Sequence, residues 1–258
     1  MLNVCSARYS VMERGDLREV PLPSAGDRSR WKGIQHGELM DTIEGVLKDD
    51  YKMGMVDERY AVSPNQAKLV GGFKLRELKR KQPKQVMGLP HKTELCMGIR
   101  HGNDSTFALT CSLGASVLVC ENGLIIGEYT AKHRHSSKLK LEDYIRETFE
   151  GYFENLGVLG DTLSGLAERN VTPADHDAGI LQLARTGCLP WRLAGDVDKL
   201  WRKTLEGKGP HNGAFDGRTA WDWYNHVNDV IKRTPPIGQL RRLHQAYRIS
   251  SGPFATAT

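Results

Sequence analysis

Glu94-Leu95-Cys96-Met97-Gly98-Ile99-Arg100 and Leu141-Glu142-Asp143-Tyr144-Ile145-Arg146-Glu147-Thr148-Phe149-Glu150-Gly151-Tyr152-Phe153-Glu154-Asn155-Leu156 carry two different periods. In the first run Leu95, Met97 and Ile99 alternate with Glu94, Cys96 and Arg100, as a half-buried strand requires. In the second, Leu141, Tyr144, Ile145, Thr148, Phe149, Tyr152, Phe153 and Leu156 follow steps of three and four, which put side chains on one helical stripe. Between the runs the period of two persists. Phe107, Leu109 and Cys111 alternate, and Val117–Cys120 and Leu124–Ile126 flank Glu121-Asn122-Gly123, where Asn-Gly supplies the positive φ angles of a tight hairpin. The chain therefore turns from sheet to helix near residue 140. A helix so apolar on one side must bury that side, so 141–156 is expected to lie across the sheet.

Toward the N-terminus, 59–62 and 67–70 read as strands around the turn Ser63-Pro64-Asn65-Gln66. Leu39, Met40, Ile43, Val46 and Leu47 mark a first helix over 38–49, with Gly54 as the turn after it. Residues 1–30 show no clear period and read as an irregular arm. Toward the C-terminus, Thr172-Pro173-Ala174-Asp175 opens a helix with an N-cap, a first-turn proline and an acid. Further helices are expected over 196–206, capped by Asp196, over 219–233, and over 237–249, with Arg241, Arg242 and Arg248 facing outward. The predicted fold class is α+β: antiparallel β-hairpins flanked by a first helix and a long amphipathic helix, then a helical C-terminal region. Its expected divisions are an arm (1–30), an α+β core (31–170) and a helical region (171–258), with the boundary at 170–173.

Hydrophobic residues at 39% and charged residues at 26% of 258 belong to an ordinary globular chain and exclude a disordered one. No apolar stretch approaches the roughly 20 residues of a membrane helix, and Met1–Cys5 lacks a signal-peptide layout. The five cysteines, Cys5, Cys96, Cys111, Cys120 and Cys188, are widely spaced and odd in number. They read as reduced, mostly buried thiols of a cytoplasmic protein. The net charge of +5 conceals blocks of opposite sign. Nine Lys/Arg face two acids over 68–100, nine acids face two arginines over 141–177, and twelve basic residues face six acids from 183 onward.

Four motifs in order carry a family resemblance: Arg100-His101-Gly102-Asn103-Asp104-Ser105, Val119-Cys120-Glu121-Asn122-Gly123-Leu124, Arg134-His135-Ser136, and Thr219-Ala220-Trp221-Asp222-Trp223-Tyr224-Asn225-His226-Val227. Together with Trp31-Lys32-Gly33-Ile34-Gln35-His36, the chain over about 31–250 resembles the phage/plasmid-like protein family, a domain of unknown function carried by bacteriophages and plasmids. The resemblance supplies no activity and no catalytic residue. It implies a mobile genetic element as the source, expressed in a bacterial host cytoplasm. The order of helix, hairpins and long helix also looks like the core of phage single-strand annealing proteins, an analogy of fold alone.

Catalytic and metal chemistry find little footing. Cys120, His133 and His135 lack the paired short spacings of a zinc site. His101, Asp104 and Ser105 are too close along one turn to aim at one another as a triad. Gly71-Gly72 and the glycines of 207–217 lack the order of a phosphate loop. No cofactor, metal or enzymatic activity is expected. The basic sets are more telling: Lys74, Arg76, Lys79, Arg80, Lys81 and Lys84 leave one strand, and Lys132, Arg134, Lys138 and Lys140 leave the second hairpin with no acid between Glu128 and Glu142. Placed at one end of the sheet, they would form a groove along a phosphate backbone, with Phe73 or Tyr129 as a stacking surface. An ordinary solvated edge, kept charged against strand pairing, accounts for the same residues. Trp221 lies off the apolar stripe of its helix and is open to another helix, a partner subunit or a base. The expected function is single-stranded DNA binding in replication, recombination or polymerase loading, with a phage or host replication or transcription protein, or a second copy, as further partners. The rival is a protein-binding effector, a host-defence inhibitor or transcription adaptor, that contacts its target through 141–177 or the C-terminal helices.

Overall fold

The computed structural model describes residues 9–22, 33–78, 93–104, 106, 108, 109–117, 123–133, 140–154, 156–210 and 215–252. Six antiparallel strands form one meander in chain order: β1 (Ser10–Met12), β2 (Met53–Val62), β3 (Lys68–Glu77), β4 (Thr93–Gly102), β5 (Leu109–Val117) and β6 (Gly123–His133). The helices are α1 (His36–Tyr51), α2 (Leu141–Glu154), α3 (Leu156–Glu168), α4 (Pro173–Arg185), α5 (Trp191–Leu205), α6 (Ala220–Ile231) and α7 (Pro236–Ser251). This is the α+β architecture that the switch of period foretold.

Residues opposite one another in an antiparallel ladder share a face, and neighbours along a strand do not. Leu69, Gly71 and Phe73 of β3 oppose His101, Ile99 and Met97 of β4, and Ile99 opposes Cys111 of β5. That face receives α1: His36 Nδ1 lies 2.8 Å from His101 Nδ1, in the interior. Asn103 fastens the same junction, accepting from Ile34 N–H at 3.1 Å and donating to Ile34 O at 2.8 Å. Ile34 and His36, and His101 and Asn103, parts of two of the resemblance-bearing stretches, thus meet in the core. Helix α2 packs beside α1, with Phe149 only 1% exposed among Tyr51, Tyr152 and Phe153. Gly71 is required where it stands, because a Cβ there would lie 2.6 Å from the ring of Tyr60 across the ladder.

Several local expectations are corrected. Within the supposed irregular arm, Ser10–Met12 is an edge strand, and Gly15–Arg18 is a 3-10 turn that buries Leu17. Three residues are too few to display a period. Gly54 lies inside β2, and α1 ends instead at Lys52 in the left-handed region (φ 54°). Helix α5 begins at Trp191 behind Pro190, not at Asp196, whose carboxylate meets Lys199 and Arg233, each at 3.3 Å.

The C-terminal layer is built around α6, whose capping box (Thr219, Asp222) starts a helix buried on almost every side. Helix α6 packs against α3, α5 and α7. Trp221 is therefore core, not a platform for a base or partner. At the expected boundary, Asn170 bridges to Thr219, and α3 before it packs on α6 and α7 after it. No helix among the described residues is long and apolar enough to cross a membrane.

Candidate nucleic-acid interface

Helix α7 joins the helical layer to the sheet. It packs against β3, β4 and β6 on one side and α4 and α6 on the other. It lies on the face opposite α1. Arg100 precedes His101 on β4 and so points away from α1, and its guanidinium pKa is held below the ordinary value by burial and then by the neighbouring charge of Arg241 on α7. Leu240, Leu243, Ala246 and Tyr247 are buried, which leaves Arg241 and Arg248, seven residues and two turns apart, exposed on one side.

The connection from α4 to α5 is fixed to this helix. The Arg242 guanidinium donates to the carbonyls of Gly187 (3.2 Å) and Cys188, Gln245 donates to Thr186 O at 2.8 Å, and the Cys188 thiol donates to Arg242 O at 3.4 Å. Burial pushes that thiol up to about 12 although Arg242 and Arg241 oppose the shift. Arg185 and Arg192 flank the connection and are exposed. Among the described residues no carboxylate pairs with Arg185, Arg192, Arg241 or Arg248. The reason lies in the sequence: 178–195 and 230–258 contain no acid. A third acid-free run, 129–141, starts at the same end of the sheet, because Lys132 opposes Thr110, which opposes Arg100, which opposes Val70.

The sequence-predicted cations divide differently. Lys74 and Arg76 leave β3 at one end of the sheet, whereas β6, running antiparallel to β3, delivers Lys132 to the other. A single groove at one end is therefore corrected: the two basic sets start from opposite ends. Local periodicity reveals strands but not their direction in the sheet, which set this error. Lys74 is buried on the α7 face, its ammonium 2.8 Å from Asp57 and 3.0 Å from Glu94, and Arg76 reaches Glu94 at 3.3 Å. Burial lowers the Lys74 pKa, but the two carboxylates outweigh it and hold it above its ordinary value. Asp57 reaches Lys74 from a β-bulge in β2, with φ 51°. Lys140 is exposed, with Asp143 at 3.8 Å. Lys79, Arg80, Lys81, Lys84, Arg134 and Lys138 lie outside the described residues, as do Cys5, Cys120 and His135, and for Lys132 only the backbone is described. Phe73 is wholly buried toward α1 and offers no stacking surface. Sequence reading missed Arg100 as a site residue and the arginines of α4, α5 and α7. The acid-free runs around them were the available signal.

Other polar clusters act as structure. His101 turns to His36 while Asp104 turns to Lys68 (3.1 Å) and Thr106, so the two do not form a dyad. Cys96 and Cys111 are buried thiols pushed up to about 11 and about 12 by burial. His176, Asp177 and Asp198 gather ligand atoms within 4.8 Å. However, His176 Nδ1 accepts from the Trp223 indole N–H at 3.0 Å, so in the neutral ring Nε2 carries the proton and donates to Asp198 at 3.0 Å. A metal at Nε2 would need that proton removed and Nδ1 turned into a second donor against the indole. Arg202 also holds both Asp198 oxygens, at 2.8 and 3.0 Å. The cluster thus braces α4, α5 and α6. Burial lowers the His176 pKa, against the pull of Asp198. Asp222 is raised to about 6 by burial and then by the carboxyl of Asp216.

Sheet, helical layer and arginine-rich corner together define an α+β protein with exposed arginines on acid-free segments of α4, α5 and α7 beside Arg100. A family model matches residues 29–250, and the chain belongs to that family, Domain of unknown function (DUF932). Searches among curated proteins and among solved structures return no match.

Proposed function

We propose that this protein binds single-stranded nucleic acid without sequence preference, as an accessory protein of a phage or plasmid in replication, recombination or polymerase loading. One observation carries the reading. Arg185, Arg192, Arg241 and Arg248 are exposed, have no carboxylate partner among the described residues, and sit on segments that pack together beside Arg100. Unscreened guanidiniums repel one another, and a polyanion relieves that repulsion while releasing its own counterions. Lys132 leaves β6 at the same end of the sheet, and Arg134, Lys138 and Lys140 follow it in the acid-free run 129–141, which this reading takes as further phosphate contacts. Lys79, Arg80, Lys81 and Lys84 follow β3, which finishes at the opposite end of the sheet, and this reading takes them as a second contact for longer strands.

Titration of fluorescent deoxythymidine oligomers over a range of salt tests the proposal. Affinity is expected to fall with salt at a log–log slope of about −0.7 per contacted phosphate. Neutralising Glu147 and Glu150 on α2 is expected not to reduce affinity. Absence of binding at low salt overturns the reading in favour of a protein-binding effector.

A further inference from the structure

Trp191 is 63% exposed, the most exposed of the large apolar side chains among the described residues. It is the first residue of α5, and Pro190 in front of it has the extended backbone (φ −59°, ψ 148°) that starts the helix. At about 100° per residue it stands roughly 100° around the helix from the buried stripe of Ala194, Val197, Trp201 and Thr204. Its neighbours at the helix start do not cover it. The other described tryptophans, Trp201, Trp221 and Trp223, are buried. An indole left in water at a helix start costs hydrophobic free energy that a smaller or polar residue would not.

Its position gives that exposure a use. Cys188, three residues earlier, is fastened to Arg242 and lies within the field of Arg241. Three residues of chain span at most about 10 Å. Arg192 follows directly, and Arg185 closes the other end of the connection. Trp191 is therefore exposed on the acid-free segment 178–195, next to Arg192 in the chain and six residues from Arg185. A single strand has phosphates spaced along its backbone and flat bases beside them. Cations next to one exposed aromatic face match that alternation, and stacking tolerates any base because every base has a π-face. An acidic peptide would match the cations but leave the indole without a planar partner.

We propose that Trp191 is a base-stacking platform, with Arg192 and Arg241 holding the flanking phosphates. The inference rests on the single-strand reading above and adds to it the contact that distinguishes nucleic acid from other polyanions. The full chain and its Trp191→Ala and Trp191→Phe variants are titrated with a deoxythymidine oligomer and with an abasic oligomer of equal length. Loss of one stacked base is expected to weaken Trp191→Ala binding to the thymidine oligomer about five- to a hundredfold, while Trp191→Phe keeps most of the affinity. The abasic oligomer binds wild type and Trp191→Ala alike, and the salt slope on the thymidine oligomer stays the same. Unchanged thermal unfolding of Trp191→Ala shows that the fold is intact. If wild type binds the thymidine oligomer and Trp191→Ala binds it equally well, the platform is overturned while single-strand binding stands. If wild type binds neither oligomer at low salt, or binds poly-glutamate as tightly as the thymidine oligomer, the functional reading itself falls.

Discussion

One face of the sheet handles its cations in two ways. At the end where β3 finishes, Lys74 and Arg76 are met by Glu94 from the next strand and by Asp57 from a bulge in β2. At the end where β6 finishes, Arg100 is met by another cation, Arg241, and the helical segments 178–195 and 230–252 contain no acid. In the sequence the two look alike, since both are basic runs leaving a strand. What separates them is register, because Lys74 opposes Cys96, two residues from Glu94 on the same face, whereas Arg100 opposes Val70 and Thr110. A cation held between carboxylates serves the fold. The exposed arginines of α4, α5 and α7, which have no carboxylate partner among the described residues, are available to a ligand.

The strongest test of the compensated end is Glu94→Gln. The substitution leaves Lys74 in the interior with Asp57 alone, and breaking such a buried pair costs about 3–5 kcal/mol, with the lower end expected because Asp57 remains. Urea unfolding reads the loss. The double substitution Lys74→Met with Glu94→Leu is expected to recover most of it, because apolar residues of similar volume need no partner. Equal stability of Glu94→Gln and wild type would dissolve the distinction between the ends.

A smaller effect is expected in binding. Arg241→Ala with Arg248→Ala removes two exposed cations and should flatten the salt slope on single-stranded DNA by about 1.4, two phosphates' worth. Lys79→Ala, Arg80→Ala and Lys81→Ala together should change the affinity of a long oligomer and leave that of a short one untouched. Should the triple variant weaken short oligomers more than the arginine pair does, the binding surface belongs at the β3 end instead.

How far the sequence could lead is visible in these same residues. Strands β2 to β6, α2 and the capped α4 and α6 were legible because each carries a local period or a local cap, as with Thr172 and Asp175. Strand direction was not, so Lys74 and Lys132 were put at one end. Trp221 lies off its helix's apolar stripe, yet α6 is surrounded by α3, α5 and α7, and no single-helix pattern reports neighbours on every side. The arginine corner draws on α4, α5, α7 and β4, which lie up to 148 residues apart, from Arg100 to Arg248. Only packing assembles it.

Compensation also predicts how the helical layer answers to pH, the smallest effect and one with two opposite signs. His176 is buried neutral, and its pKa in the folded protein lies below the ordinary 6.5. The unfolded chain therefore takes up a proton first as pH falls, and stability declines from about pH 6.5 downward. Asp222 behaves oppositely. Its folded pKa of about 6 lies above the ordinary 3.8, so the folded protein holds the extra proton between those values, and stability declines as pH rises through that window. Asp222→Asn keeps an acceptor for the Thr219 N–H while removing the repulsion from Asp216. The variant is expected to unfold at a higher temperature than wild type at pH 8, with the gap closing by pH 4. His176→Gln should flatten the acid-side decline and leave the alkaline side alone. If Asp222→Asn gains nothing at pH 8, the carboxyl of Asp222 is compensated as fully as that of Glu94, and the open charge of this protein is confined to its arginines.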